Sequence, residues 1–493
     1  MRKSNFIIFF PLSLYHVNSL QPQAGPGRQE LKSTLRRGRK MQTMTPLFVL
    51  CFVIFSLPSG IMAQETPMRW QSSKLDNGLL VLTHEDHSAP LVSHHIYVGA
   101  GSRTEWPGIT GISHLIEHLR WGGNAGEEPF EKRIQALGGS TGGHTWPDFT
   151  DYVDVVPNVG LEMALREGAR FLSGVQTDEA RFKAERDVVL SEMLLAENDP
   201  YYVALRHLWA VAFEAHPYRA PIGGWISDVS RITLKDVKDY FHTFYSPQNT
   251  TVLLAGDFKT SDALALAKKY YGAVSRGPEL PHPPTPESVQ NAEKHIRFFS
   301  TADQAAVFVG YHIPDITDSD VPALQILDAL LCKGRSARLQ KSLVDEQRVA
   351  VAVNPGGRGK VDQWRRDPSL VVFGISLQSG CSLEKGENAL VAEFKRLTTE
   401  IVDSQELERA IRRETTDQLT YVLYSVWTLW SVASQTQQAG LYQTLTGNPE
   451  FVTKLIAKYQ KVKPGDIQRI ALKYLDEKNR TIVWLVPGKK EKH

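Results

Sequence analysis

His114, Glu117 and His118 stand within five residues of one another in the run Ile112-Ser-His-Leu-Ile-Glu-His-Leu-Arg120. On a helix, positions i, i+3 and i+4 project from one face. Two imidazoles and a carboxylate then converge within a few ångströms. Paired histidines at i and i+4 are a common helical grip on Zn²⁺, and the carboxylate between them is placed to touch a water on the metal. Short patterns of this kind also arise by chance, and helices carry histidines for packing. Zinc therefore demands a third protein ligand from elsewhere in the chain.

An acid is available downstream. Asp178-Glu-Ala-Arg-Phe-Lys-Ala-Glu-Arg-Asp-Val-Val-Leu-Ser-Glu-Met-Leu-Leu-Ala-Glu197 reads as a helix, because Phe182, Val189, Leu190 and Met193 recur with a 3.6-residue period. Glu185 and Glu192 lie seven apart and so share a face, two turns from each other. Two acids on one helix are ordinarily just solvated, so their spacing alone decides nothing.

H-x-x-E-H inverts the commoner H-E-x-x-H motif. Followed after some seventy residues by E-x-x-x-x-x-x-E, it resembles the pitrilysin/insulinase group of zinc peptidases, the M16 inverzincins. Other stretches resemble that family in order: Val98-Gly-Ala-Gly-Ser-Arg-Thr-Glu105, Ala136-Leu-Gly-Gly139, His216-Pro-Tyr218 with Gly223-Gly-Trp225, and Tyr245-Ser-Pro-Gln-Asn249 with Gly256-Asp257. The likeness spans about residues 70 to 490. It implies an α+β chain of two homologous domains, each a mostly antiparallel sheet packed with helices, of the LuxS/MPP-like metallohydrolase type. It further implies one Zn²⁺ held by His114, His118 and Glu192, with Glu117 as general base. Glu185 would be an auxiliary that orients a ligand histidine, or simply a partner in a structural ion pair.

The elements that must position these residues occupy a chain of 493 residues, long enough for two or three domains with sizeable cores. Hydrophobic content of 42% and charged content of 22% are ordinary for a globular protein. The net charge of +2 conceals a basic leader. Residues 1–40 contribute +7 and residues 41–63 nothing, leaving −5 for the remainder. That body gives no reason to expect nucleic-acid binding. Residues 41–63 read as a signal peptide: an apolar run Pro46–Leu57 too short to span a bilayer, a break at Pro58-Ser-Gly60, and a small residue before a cut ahead of Gln64. Residues 1–40 are then a basic leader or precede a later true start at Met41 or Met44. The expected location is periplasmic or secreted, with no stable membrane span after signal removal. A mitochondrial presequence is the competing reading, disfavoured by the secretory-type apolar core. Cys332 and Cys381 could form one disulfide in an oxidising compartment.

The first domain is expected over residues 68–276. Gly78–Thr83 and Leu91–Val98 read as strands, with His94 and His95 as strand residues. Gly277-Pro-Glu-Leu-Pro-His-Pro-Pro-Thr-Pro286 opens a stiff linker over 277–290, and a second domain follows over 291–490. The second half repeats the first. Asp236–Tyr240 through Asn249–Leu253 aligns with Asp466–Ile470 through Asn479–Val483 at a constant offset of 230. The copy of the histidine helix is Ala323-Leu-Gln-Ile-Leu-Asp-Ala-Leu-Leu331, which contains no histidine, so only one half is expected to hold metal. Asn249 and Asn479 sit in N-x-T patterns but read as turn residues. Tyr421, Tyr424, Trp427 and Trp430 have helical spacing and read as core.

The chain departs from the family pattern in three places. Trp121-Gly-Gly-Asn124 replaces a Phe-Lys-Gly-Thr-like run. Gly142-Gly143 replaces Asn-Ala just before Thr145, Asp148 and Tyr152, in the segment that resembles the sheet edge on which the family's peptide substrate lies as an added strand. His144 there is a candidate substrate contact. Val344 and Val351 fall where active relatives carry an Arg and a Tyr that reach the transition state. Valine cannot donate to an oxyanion, a loss commonly worth about 10²–10³ in rate. The resemblance therefore implies a zinc metalloendopeptidase for peptides or small unfolded proteins, as the catalytic subunit of a heterodimer in which a related M16 subunit supplies the missing pair. A non-catalytic or zinc-dependent scaffold or binding subunit of the same fold is the alternative.

Overall fold

The computed structural model describes residues 69–121, 128–355, 365–423 and 431–488. Residues 1–68, on which the expected leader and signal peptide fall, and Gly122-Gly-Asn124 lie outside them, as do the side chains of Tyr421, Tyr424, Trp427 and Trp430. Among the described residues, no helix is long and apolar enough to cross a membrane.

Runs of β-branched and aromatic residues build two sheets. The first contains β1 (Gln71–Lys74), β2 (Leu80–Glu85), β3 (Leu91–Val98), β4 (Ser140–Thr145), β5 (Thr150–Pro157) and β6 (Thr250–Gly256), in the order β1-β2-β6-β3-β5-β4. The second contains β7 (Lys294–Ser300), β8 (Ala306–Ile313), β9 (Ala350–Val353), β10 (Ser369–Leu377) and β11 (Arg480–Pro487), in the order β7-β11-β8-β10-β9. Each sheet is antiparallel apart from one parallel pair, β2 with β6 and β7 with β11. With β1 set aside the two orders superpose, β2 on β7, β6 on β11, β3 on β8, β5 on β10 and β4 on β9. The fold is α+β, one sheet-and-helix plan used twice.

The internal repeat reaches individual hydrogen bonds. The repeat and the His114 segment involve five helices: α1 (Ile112–Leu119), α2 (Glu179–Ala196), α3 (Leu234–Phe244), α4 (Val321–Cys332) and α5 (Pro464–Tyr474). α3 leads into β6 and α5 into β11, with both helix boundaries and the start of the strand displaced by 230 residues. At the turn the Asn249 amide donates to the Phe244 carbonyl at 2.9 Å, and Asn479 repeats this toward Tyr474 at 2.8 Å. Both asparagines thus satisfy the end of the preceding helix. α1 follows β3 as α4 follows β8, and α4 is buried from Val321 to Leu331. A helix enclosed on all sides has no face left for metal ligands.

Each sheet has two covered faces, and the halves exchange one cover. On one face of the first sheet Val81, Val92, Ile96 and Leu254 meet Ile112, Leu115 and Ile116 of α1. On the other face Leu82, Tyr97 and Leu253 meet Ala439, Leu441 and Tyr442, which belong to a helix of the second half (Ser431–Thr446). Reciprocally, Ala204, Leu205 and Leu208 from a first-half helix (Pro200–Ala212) cover Phe308, Val372 and Val483 of the second sheet. Residues 277–290 contain neither helix nor strand. Cys332 and Cys381 are both free thiols.

Charged side chains pin the halves together where the apolar covers stop. Glu287, in the connecting segment, accepts the backbone amides of Glu214, Ala215 and His216 at 2.8–2.9 Å. His216 Nε2 lies 2.9 Å from Asp367 Oδ2, and Arg103 Nε donates to the same oxygen at 2.5 Å. Tyr218 donates to Asp148 at 2.7 Å, and Asp148 also accepts the amide of Arg366. Partial burial would raise the Asp367 carboxyl, but His216 and Arg103 outweigh it and hold it well below the ordinary carboxylate range. Its contribution to stability is therefore present above the ordinary pKa of 3.8 and is lost as pH falls through and below it. Asp367→Asn should lower stability by about 2–3 kcal/mol at pH 7, with the deficit shrinking toward pH 3, as read by chemical denaturation across that range.

Candidate metal centre

α1 begins at Gly111, whose φ of 90° is the left-handed conformation glycine tolerates best. A side chain there would strike the carbonyl of Gly223, and one at Gly224 (φ 78°) would strike that of Thr110. Gly111 and Gly223-Gly224 thus let two backbones touch at the start of the helix. Gly111 has no side chain with which to cap α1, and Glu105 does so from outside. Its carboxylate accepts the amides of Gly111 at 2.6 Å and Ser113 at 2.9 Å. Burial pushes Glu105 up to about 7 despite those two donors.

Ile112, Leu115, Ile116 and Leu119 bury one side of α1 in the first core. His114, Glu117 and His118 are thereby turned the other way. α2 packs on α1. Its N-terminus is closed by Asp178, which accepts the Arg181 amide at 2.8 Å, and Phe182 and Val189 anchor it in the same core. Its carboxylates then meet the imidazoles. Glu192 Oε2 lies 3.4 Å from His118 Nε2 and 3.8 Å from His114 Nε2. One donor atom from each of the three residues falls within 4.8 Å of the other two.

The shorter of these separations matches a zinc site, and the longer one is slightly wider than such a site. Tetrahedral ligands about 2.0–2.2 Å from Zn²⁺ stand roughly 3.3–3.6 Å from one another. The chemistry of the donors agrees, since two imidazole nitrogens and one carboxylate oxygen make a zinc ligand set with a fourth position left open. Burial lowers His114 to about 4, which leaves a neutral imidazole with a free lone pair. For His118 burial acts the same way, but Glu185, Glu192 and Glu117 overcome it and raise the metal-free imidazole to about 10. A metal binding there displaces that proton.

Glu117 is half-buried, and desolvation raises its carboxyl above the ordinary value. Thr145 Oγ1 donates to its Oε2 at 2.7 Å. Glu185 faces two ways. Its carboxylate lies 3.8 Å from His118 Nδ1, beyond a hydrogen bond, and accepts from Arg181 Nη2 at 3.1 Å. Both readings of Glu185, positioning group and ion-pair partner, are thus present in the geometry.

β4 is the edge of its sheet among the described residues. Gly143 lies against α1, where an added Cβ would come within 3.0 Å of the Trp121 ring and 3.2 Å of Glu117 Cγ. The large Trp121 and the absent side chain at 143 are complementary, so the two departures from the family pattern are one packing solution. His144 points to the opposite face, 38% exposed, with Nδ1 3.5 Å from Asp151 Oδ2. Burial lowers it, but Asp151 prevails and raises it to about 9.

Several residues that spacing did not single out support this arrangement. Arg120, at the end of α1, donates to buried Asp154 at 2.8 Å, and Thr141 of β4 donates to the same carboxylate at 2.6 Å. His94 completes the group, between Asp154 at 3.0 Å and the Tyr271 hydroxyl at 2.8 Å. Burial would raise Asp154, yet Arg120 and His94 hold it at about 2. His94 is thus a strand residue with a structural task. His95 is buried beside it, and burial lowers its pKa to about 3. An Arg at the last turn of an amphipathic helix reads from sequence as a solvated charge. Only the fold places a carboxylate beneath it.

Against known proteins, residues 80–224 match the model described as Insulinase (Peptidase family M16), and residues 231–414 match that described as Peptidase M16 inactive domain. The chain belongs to the M16 peptidase family. It is 25% identical over 446 residues to the zinc protease PqqE of Helicobacter pylori, covering 88% of this chain and 97% of that one. A crystal structure of a protease from Helicobacter pylori superposes with a TM-score of 0.77 at 25% identity, over 85% of this chain and all of the other. The probable mitochondrial-processing peptidase subunit beta of Arabidopsis thaliana is 28% identical over 292 residues, 57% of this chain and 54% of that protein. The inactive-domain match lies mostly in the half whose equivalent helix, α4, has no histidine.

Glu105→Ala should leave two buried amides of α1 without acceptors and lower stability by about 2–4 kcal/mol, with reduced zinc retention. Thermal unfolding and metal analysis of the purified variant check both effects, and Glu105→Gln should recover part of each.

Proposed function

We propose that this chain is a zinc-dependent endopeptidase acting on peptides or small unfolded proteins. The observation that carries this reading is the approach of His114, His118 and Glu192, from two separate helices, to within reach of one ion, with half-buried Glu117 beside them. A zinc ion held by these residues lowers the pKa of water to about 7 and polarises a carbonyl. Glu117 accepts the proton of the attacking water through its carboxylate. The water oxygen bonds to the scissile carbonyl carbon, the C–N bond breaks, and Glu117 returns the proton to the departing amine. Glu185, paired with Arg181, stands 3.8 Å from the far side of His118, where it orients that ligand. The open edge of β4 supports an extended peptide lying as an added strand. With Gly142 and Gly143 on that strand, His144 is the main side chain beside which such a peptide passes on the exposed face. The relatives named zinc proteases support the choice of metal. A periplasmic or secreted location rests on the apolar segment before Gln64.

We further propose that a related M16 subunit completes the site. Val344 packs partly buried on the second core, and Val351 is 39% exposed. Neither can supply a hydrogen bond where the family's Arg and Tyr act. The same two valines favour the second reading, a non-catalytic or zinc-dependent binding subunit.

Glu117→Gln should keep one zinc per chain and lower peptide hydrolysis by at least about 10²-fold, whereas Glu192→Ala should lose the zinc itself. Metal analysis beside a chelator-sensitive assay on a mixed peptide library reads both. Retention of zinc by Glu192→Ala would refute the ligand assignment. The single chain should be a weak peptidase that a co-purifying M16 partner stimulates strongly. Full activity of the chain alone would end the two-subunit proposal.

A further inference from the structure

We infer that Thr145 is a positioning residue for Glu117 and ties the orientation of that base to the strand that receives the peptide. The inference rests on the peptidase reading of the zinc site.

Successive residues of β4 face opposite sides of the sheet. Thr141, Gly143 and Thr145 face α1. Thr141 binds Asp154, the carboxylate that also holds Arg120 at the end of α1. Gly143 leaves room for Glu117 and Trp121. Thr145 donates its hydroxyl to Glu117 Oε2 at 2.7 Å. The edge strand is therefore fastened to the metal helix at two points, one at the base itself. A Thr hydroxyl has a single proton to donate. Spending it on Oε2 fixes the carboxylate's rotation and leaves Oε1 to accept the proton of water.

The backbone of the same residue has a second task. The amide of Trp146 donates to the Phe149 carbonyl at 2.8 Å, and β4 pairs with β5 in unbroken register from Ser140 to Thr145. In an antiparallel ladder, bonded and non-bonded positions alternate. The amides and carbonyls of Gly143 and Thr145 therefore turn away from β5 toward the open edge. A peptide added at that edge hydrogen-bonds to the backbone of Thr145 while the Thr145 side chain holds the base. Ordering the strand by substrate then also orders Glu117.

Thr145→Val keeps the β-branched shape and strand propensity and removes only the hydroxyl. In the zinc-loaded protein, with its M16 partner where one co-purifies, Thr145→Val should lower kcat by about 10- to 10²-fold. KM and zinc content should remain within about twofold of the unaltered protein. Thr145→Ser should restore most of kcat. A double-mutant cycle of Thr145→Val and Glu117→Ala should show non-additive changes in thermal stability, because each variant removes the one hydrogen bond the two groups share. Unchanged kcat in Thr145→Val alongside an inactive Glu117→Gln would overturn this inference and leave the peptidase reading intact. A rise in KM with kcat unchanged, or no rescue by Ser, would also overturn it, since a merely structural role in the strand predicts that pattern. If the unaltered protein with its partner cleaves no peptide, both inferences fall together.

Discussion

Two imidazoles and a carboxylate can share one cation only if two helices that meet late in the chain are held at a fixed separation. α1 contributes its pair through helical periodicity alone, but Glu192 arrives from α2, more than seventy residues on. Their approach depends on a common apolar floor. Leu115 and Ile116 from one helix and Phe182 and Val189 from the other enter the same core. Burial of the opposite faces of their helices keeps these three polar groups together, with the Glu192 carboxylate drawn to both imidazoles.

Around that constraint the rest of the first half acts as a frame. Glu105 closes the start of α1, and Arg120 with Asp154 closes its end. Close backbone contact at Gly111 and Gly224 sets the angle at which the helix enters. β4 then runs alongside with small residues where the helix needs space and hydroxyls where it needs a donor. Charges that would look dispersed on a linear map are the fasteners of one helix.

The second half reproduces the frame without the chemistry. The matched strand orders and the paired Asn249 and Asn479 bonds show that one plan served both. In the second copy the equivalent helix, α4, is enclosed by apolar neighbours and holds no imidazole. What this half contributes is cover, since its helix Ser431–Thr446 closes the outer face of the first sheet. The halves are thus interlocked by exchanged helices and by the Arg103, His216 and Asp367 group.

The amino-acid sequence by itself determined the elements whose information is local. Periodicity placed α2 to within a residue, β-rich runs placed β2 and β3 to within two, and the 230-residue offset exposed the repeat. The i, i+3, i+4 spacing brought His114, Glu117 and His118 to one face because a helix has only one geometry. Tertiary structure alone decided which downstream acid stands nearest both imidazoles, since Glu185 and Glu192 share a face and only packing distance separates them. It also decided that Trp121 and Gly143 compensate each other, that Arg120 is buried on Asp154, and that Thr145 reaches Glu117. Those contacts join residues far apart in the chain, and no local pattern encodes a distance that the folding of intervening segments must create.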